Sequence, residues 1–150
     1  MNLQSTTENI TTKQDLIYLL DDINQAREVV FEGEQASLEK KTKNLVGEEL
    51  RNILQKQSSL STRQQQVDFL DELKDYLQQT PQIKLTVAFS PSDDFLEEIS
   101  EWLEKEIGEK VIIDLITNHE IVGGAIIEYQ GRYLNLSLAK KIDQLAGPNE

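Results

Sequence analysis

Apolar residues recur at two different spacings along the chain, and the change falls near Pro81. Before Pro81 they repeat every three to four positions, which places them on one face of an amphipathic helix. After it, Ile83, Leu85 and Val87 alternate with polar neighbours, as in a strand that has one buried face. The pattern therefore predicts a helical part that is followed by a part containing both strands and helices.

The helical part is predicted to form a bundle of three to four helices over residues 13–80, after a flexible leader of residues 1–12. Thr12, with Asp15 three residues further on, resembles a capping box at the start of the first helix. Gly47 is expected to interrupt a later helix, because glycine is unfavourable in a helix interior. The side chains expected to face inward include those of Leu16, Leu19, Leu20, Ile23, Leu45, Leu50 and Leu70.

The part from residue 81 to residue 146 is predicted to have the order β-α-β-β-α, with a short tail of residues 147–150 after it. Ser90 followed by Pro91 favours the start of its first helix, and Gly108 favours a left-handed end. The remaining elements are expected as strands at residues 111–117 and 121–129, a turn at Gln130 and Gly131, a brief return at residues 132–135, and a final helix capped by Ser137. The fold class predicted for the whole chain is therefore α+β.

Composition excludes several classes of function. The formal net charge of −12 opposes binding to nucleic-acid phosphates or to anionic lipid. The chain has no cysteine, which disfavours a disulfide scaffold and a thiolate zinc site and favours a reducing cytoplasm. No apolar run approaches the roughly 18 residues of a membrane span, and the polar first residues do not resemble a secretory signal. A soluble protein without direct membrane insertion is expected.

Acidic residues are concentrated between Pro91 and Glu109, where eight carboxylates accompany one base, Lys105. They favour a solvated helix face, and the alternative is a surface that meets a basic partner. Trp102 lies on the apolar stripe of the same helix, so either core packing or a contact with a partner explains it.

No arrangement typical of catalysis or of metal binding is present in the sequence. His119 is the only histidine and lies in a predicted turn, and no nucleophile-elbow pattern surrounds a serine. Gly123 and Gly124 lie inside an apolar run rather than in a strand-to-helix turn, which favours a bulge over a phosphate-binding loop. No catalytic residue, cofactor or metal site is predicted.

Residues 83–145 resemble the C-terminal domain of the delta/OSCP family of F-type ATP synthases. The resemblance rests on a glycine that ends the helix, a hairpin with paired glycines, a turn glycine and an Asn-x-Ser element before the last helix. These features fall at Gly108, Gly123, Gly124, Gly131, Asn135 and Ser137. Aspartate is common in the family where Asn135 stands, and the family's six-helix N-terminal domain is shortened in this chain.

The resemblance implies a non-catalytic stator subunit of the peripheral stalk, without a cofactor, at the cytoplasmic face of the membrane. Its expected partners are the N-terminal segments of the alpha subunits and the C-terminal helices of the b subunits. Residues proposed for partner contact are Leu16, Leu20, Ile23, Asp94, Glu98 and Trp102, whereas Gly123, Gly124, Gly131, Asn135 and Ser137 are assigned structural roles.

Three alternatives remain open from the sequence. The chain is also compatible with an adaptor of another ATPase or of a coiled-coil complex. A small enzyme that uses the acidic cluster would need a carboxylate with a shifted pKa in a pocket. The β-α-β-β-α order also occurs in small RNA-binding folds, although the negative charge opposes that function.

Overall fold

The computed structural model describes residues 2–57, 60–121 and 125–133. The helices among them are α1 (Leu3–Thr6), α2 (Lys13–Val29), α3 (Leu38–Thr42), α4 (Glu48–Gln55), α5 (Arg63–Gln79) and α6 (Asp93–Ile107). The strands are β1 (Gln82–Val87), β2 (Ile112–Thr117), β3 (Ala125–Tyr129) and β4 (Arg132–Tyr133). Helices come first and the sheet later, so the α+β class predicted from the sequence is confirmed.

The chain divides into two compact units. Unit 1 comprises residues 1–10 and 15–79, and unit 2 comprises residues 11–14 and 80–150. The division follows the change of hydrophobic spacing near Pro81, except that residues 11–14, which include the first two residues of α2, group with the sheet.

Exposed polar side chains link α2 to α5 in unit 1. The Nε of Arg27 donates to Oδ1 of Asp71 at 2.7 Å, and the Nζ of Lys74 donates to Oδ1 of Asn24 at 3.1 Å. The residue numbers of the contacting pairs increase along α2 as they decrease along α5, so the two helices run antiparallel. Hydrogen bonding from Arg27 lowers the pKa of the Asp71 carboxyl below its ordinary value.

One expectation for the helical part needs correction, and the flexibility of the leader stays a prediction. Within the leader lies α1, capped by Asn2, and Ile10 is buried. Leu45 was expected to face inward, but it is 46% exposed in the turn between α3 and α4. Gly47 is the N-cap residue of α4, so a new helical phase begins there and Val46 takes the buried position.

The sheet of unit 2 has the strand order β2-β1-β3-β4 among the described residues. Strand β2 runs parallel to β1, with Ile83 opposite Ile113, whereas β3 runs antiparallel to β1, with Leu85 opposite Ile127. Every second residue of β1 is buried, as the alternating pattern requires. These inward residues pack with the apolar stripe of α6, which includes Ile99 and forms one core with the sheet.

Helix α6 begins two residues later than the sequence predicts. Ser92 rather than Ser90 is the N-cap, and its Oγ accepts a hydrogen bond from the amide of Phe95 at 3.2 Å. The helix ends as predicted at Gly108, whose φ of 87° is left-handed and favours a residue without a β-carbon. Gly131 also has a positive φ, 75°, in the turn between β3 and β4.

Several predicted features lie outside the described residues. They are Gly123, Gly124, Asn135, Ser137, the final helix and the tail.

Candidate partner-binding surfaces

Helix α2 presents large apolar side chains to solvent. Ile17 is 49% exposed and Tyr18 is 65% exposed. Leu16 and Ile23, which the sequence suggested for partner contact, are buried, and Leu20 is half-buried. Contact through Leu16 or Ile23 would require repacking of the core, and the large apolar side chains that α2 exposes to solvent are those of Ile17 and Tyr18.

A groove of about 390 Å³ lies next to Tyr18, between the first half of α2 and the start of α4. The buried side chains of Ile10 and Leu19 contribute to its apolar lining. Its carboxylates are those of Asp15, Asp21, Asp22, Glu48 and Glu49. None of the described residues that line this groove is a lysine or an arginine, so it would attract a cationic side chain.

Glu49, which lines the groove, has a carboxyl with a shifted pKa. Partial burial raises the pKa of its carboxyl above the ordinary value, and repulsion from Asp15 and Glu48 adds to this effect. Lys56 acts in the opposite direction but does not reverse the shift. Burial is the largest cause of the shift, so the groove holds a carboxylate that is partly removed from water.

Asp22 has a structural role at the same groove. Its Oδ2 accepts a hydrogen bond from the amide of Gly47 at 2.9 Å. A β-carbon at Gly47 would lie 3.0 Å from that oxygen, which is tighter than an ordinary van der Waals contact. Asp22 thus fixes the start of α4 against α2, and glycine at position 47 permits the close approach.

A second candidate surface is the outer face of α6. Asp94 and Glu98 are exposed there, one helical turn apart, and Glu101 continues the same face. Among the described acids of this helix, Glu104 differs because its Oε1 lies 3.2 Å from the Nζ of Lys110. The exposed carboxylates make this face strongly negative, as the composition of the segment predicts.

Trp102 belongs to the same helix but is half-buried rather than exposed. It packs against the core that α6 shares with the sheet, next to buried Ile99 and Leu103. Only part of its ring is available to another molecule.

The other candidate groups are placed without a catalytic arrangement among the described residues. His119 is exposed, and its Nδ1 lies 2.8 Å from the carbonyl oxygen of Ala88. Within the described part of the chain, no group of three or more histidine, aspartate or glutamate side chains is placed to hold a metal ion. None of the described helices is both long enough and apolar enough to cross a membrane.

Comparison with known proteins identifies the family. The sequence model of the ATP synthase delta (OSCP) subunit matches residues 2–147, which is nearly the whole chain. The chain belongs to this family. The match extends through the helical part as well, where the sequence alone gave no motif of the delta (OSCP) subunits.

A curated relative carries the same description. The ATP synthase subunit delta of Thermosipho africanus (strain TCF52B) is 25% identical over 64 residues, which span 43% of this chain. The matched stretch covers only 35% of that delta subunit. Membership of the delta (OSCP) family therefore rests on the family match, and the relative supports it over a limited segment.

The sequence did not single out Ile17 and Tyr18. They lie between Leu16 and Leu19, in an apolar run that is wider than one helix face. The width of this run could have indicated that some of its apolar side chains remain exposed. It did single out Asp94 and Glu98, because their local charge density is high enough to be recognised without a structure.

Proposed function

We propose that this chain is a non-catalytic stator subunit in the peripheral stalk of an F-type ATP synthase. It would link the catalytic head to the b subunits of the stalk and resist the torque of the rotor during proton-driven ATP synthesis. The observation that carries the proposal is the family match over residues 2–147. The subunit would be held at the cytoplasmic face of the membrane as a peripheral part of the complex.

We assign the contact with the N-terminal segments of the alpha subunits to the exposed surface of α2. Ile17 and Tyr18 supply apolar area, and the adjoining groove supplies carboxylates for a basic side chain of the incoming segment. Exposed aromatic residues of this kind often contribute most of the binding free energy at an interface.

We assign the contact with the C-terminal helices of the b subunits to the outer face of α6, with Asp94, Glu98 and the exposed part of Trp102. A negative helix face attracts and orients a basic helix, which increases the rate of association. Two attachments on one chain also act together, because the first raises the effective concentration for the second.

The test is affinity purification of the tagged chain from its native host, followed by identification of the bound subunits. Alpha and b subunits should be recovered together, and the isolated chain should not hydrolyse ATP. Recovery of a different ATPase or coiled-coil protein, without alpha and b, would instead favour the adaptor function.

The same purification tests the assignment of α2. Tyr18→Ala should reduce recovery of the alpha subunit by about tenfold, the loss expected for a central aromatic contact. Phe31→Ala is the matched control, because Phe31 is 59% exposed on the same unit but does not line the groove. Equal losses from the two variants would contradict the assignment without contradicting the stator function.

A further inference from the structure

The sheet of unit 2 has one face that packs on α6 and one that α6 does not reach. Leu85 of β1 points toward α6 and is fully buried in the core that the helix shares with the sheet. The opposite face carries the alternate residues of each strand. By register, Thr86 of β1 lies on that face between Ile116 of β2 and Ile126 of β3. We call the surface formed by Thr86, Ile116, Ile126 and Tyr133 the open face.

The open face collects apolar side chains that water reaches. Ile116, Ile126 and Tyr133 are 37%, 43% and 75% exposed, and they are the exposed large apolar side chains in the described part of unit 2. Tyr133 pairs with Glu128, which is two residues from Ile126 and therefore on the same side of the sheet. None of the three belongs to the core beneath α6. Exposed apolar side chains that cluster on one side are typical of a surface that another segment or molecule covers.

A segment with a matching apolar side follows β4 directly. Residues 134–150 lie outside the described part of the chain, and their sequence predicts a helix over residues 137–146. Leu138, Ile142 and Leu145 fall on one side of that helix, at spacings of four and three residues. A helix of about ten residues is roughly 15 Å long, which matches the width of about 14 Å that four neighbouring strands occupy. Residues 134–136 form a connection that reaches at most about 10 Å, enough to turn from the edge strand onto the face.

A segment of the same chain is favoured over a second copy as the occupant of the open face. Residues 134–150 are attached directly to β4, so their effective concentration at the face is high. A second copy brings a net charge of −12 toward an equal charge and is therefore repelled. The predicted helix itself contains Lys140 and Lys141 against one acid, Asp143, and so adds no negative charge to the contact.

We propose that residues 137–146 dock as a helix on the open face, so that this face serves a contact within the chain rather than a contact with a partner. Leu138, Ile142 and Leu145 face the sheet in this arrangement, and Ile116 and Ile126 are the side chains that they cover. The sheet then has a helical layer on each face. This docking does not depend on the proposed function in the ATP synthase.

A nitroxide label in the full chain tests the docking. Because the chain has no cysteine, Gln144→Cys, which is off the apolar side of the predicted helix, gives a single labelling site. The relaxation enhancement from the label should be at least about tenfold greater at the methyl groups of Ile116 and Ile126 than at those of Ile99 on α6, because packed layers are about 10 Å apart and the effect falls steeply with distance. A larger effect at Ile99, or none at Ile116 and Ile126, would overturn the proposal.

The same label distinguishes a second copy as the occupant. Isotope-enriched chain without the label is mixed with labelled chain that is not enriched. The methyl groups of Ile116 and Ile126 should then show no enhancement, because the docked helix belongs to their own molecule. Enhancement in this mixture would assign the open face to a second copy and would contradict docking within one chain.

Ile142→Lys tests the apolar side of the predicted helix. In the labelled chain this substitution should reduce the enhancement at Ile126 more than about fivefold, because burial of an unpaired charge is strongly unfavourable. Asn149→Lys is the matched control, since it adds the same charge beyond Gly147 and Pro148, and it should leave the enhancement unchanged. An undiminished enhancement in Ile142→Lys would show that this side of the helix does not contact the sheet, and the proposal would then fail.

Discussion

At the scale of single residues, unit 1 depends on a few polar side chains that reach between distant segments. Gln66 on α5 is the clearest case, because it is fully buried and its Nε2 donates to the carbonyl oxygens of Ala36 and Leu60, each at 3.1 Å. Arg63 reaches the carbonyl oxygen of Gly33 at 2.7 Å from the same helix. The two bonds from Gln66 satisfy loop carbonyls that are partly buried.

Replacement of Gln66 should therefore destabilise unit 1. Gln66→Leu keeps a similar volume but leaves two carbonyl oxygens without their donor, so the free energy of unfolding should fall by about 1–2 kcal/mol. Gln78→Leu, at an exposed position of the same helix, should change it by less than about 0.5 kcal/mol. Urea denaturation of both variants measures the difference, and equal stabilities would show that the two hydrogen bonds contribute nothing.

The raised pKa of Glu49 predicts that the stability of the chain depends on pH. Its pKa is raised in the folded chain, so the folded state favours the protonated carboxyl and is penalised once pH rises through that pKa. Glu49→Gln should therefore be more stable than the unaltered chain at pH 7, by a few tenths of a kcal/mol because water screens the half-exposed group. The gain should vanish below the ordinary glutamate pKa of about 4.3.

Thermal unfolding at pH 7 and at acidic pH measures this effect. Glu72→Gln is the matched control, since Glu72 is exposed on α5 of the same unit and is not among the groups that shift the pKa of Glu49. A gain of equal size in both variants would attribute the effect to net charge rather than to burial of Glu49.

At the scale of elements, the hydrophobic pattern predicted which segments are helices and strands better than where they begin. Phe95, Ile99 and Leu103 follow the helical period, and this placed α6 correctly. The pattern contains two serines before that helix, and local rules do not distinguish which of them caps it. The structure shows that Ser92 is the cap, because its side chain accepts from the amide of Phe95.

The two serines give a direct comparison. Ser92→Ala removes the acceptor for the amide of Phe95 and should lower the free energy of unfolding by about 1 kcal/mol. Ser90→Ala should change it by less than about 0.5 kcal/mol, since Ser90 is exposed before the helix. Chemical denaturation followed by the fluorescence of Trp102 reports on this unit. A larger effect at Ser90 would contradict the observed cap.

At the scale of the whole molecule, charge is distributed unevenly between surfaces. The outer face of α6 is negative along its exposed positions, and the groove beside α2 is negative as well. The net charge of −12 thus reflects particular surfaces rather than a uniform excess. Basic partners at both places are consistent with the stator function that we propose.

Charge reversal on α6 tests the contact with the b subunits. Glu98→Lys should reduce recovery of b from native membranes by roughly fivefold, and the loss should shrink at high salt. Glu72→Lys makes the same change of net charge on an exposed position of α5 and should not reduce recovery. If both variants lose b equally, the effect comes from overall charge and α6 is not the contact.

The sequence alone predicted the α+β class, the change of architecture near Pro81, the glycine that ends α6 and the family. These properties follow from local patterns: apolar periodicity, capping residues and a glycine-containing hairpin motif. They are readable because each depends on residues that are close together along the chain.

Only the tertiary structure decided which apolar residues of α2 remain exposed, that Leu45 faces solvent, and that residues 11–14 join the edge of β2. Each of these depends on contacts between segments far apart in sequence, such as Ile113 with Thr11. A hydrophobic pattern states how much apolar surface a helix must bury, but not which neighbour will cover it. The helical period placed Leu16 and Ile23 on the inward face, where the structure has them, but it did not show that Ile17 and Tyr18 form the exposed apolar surface of α2.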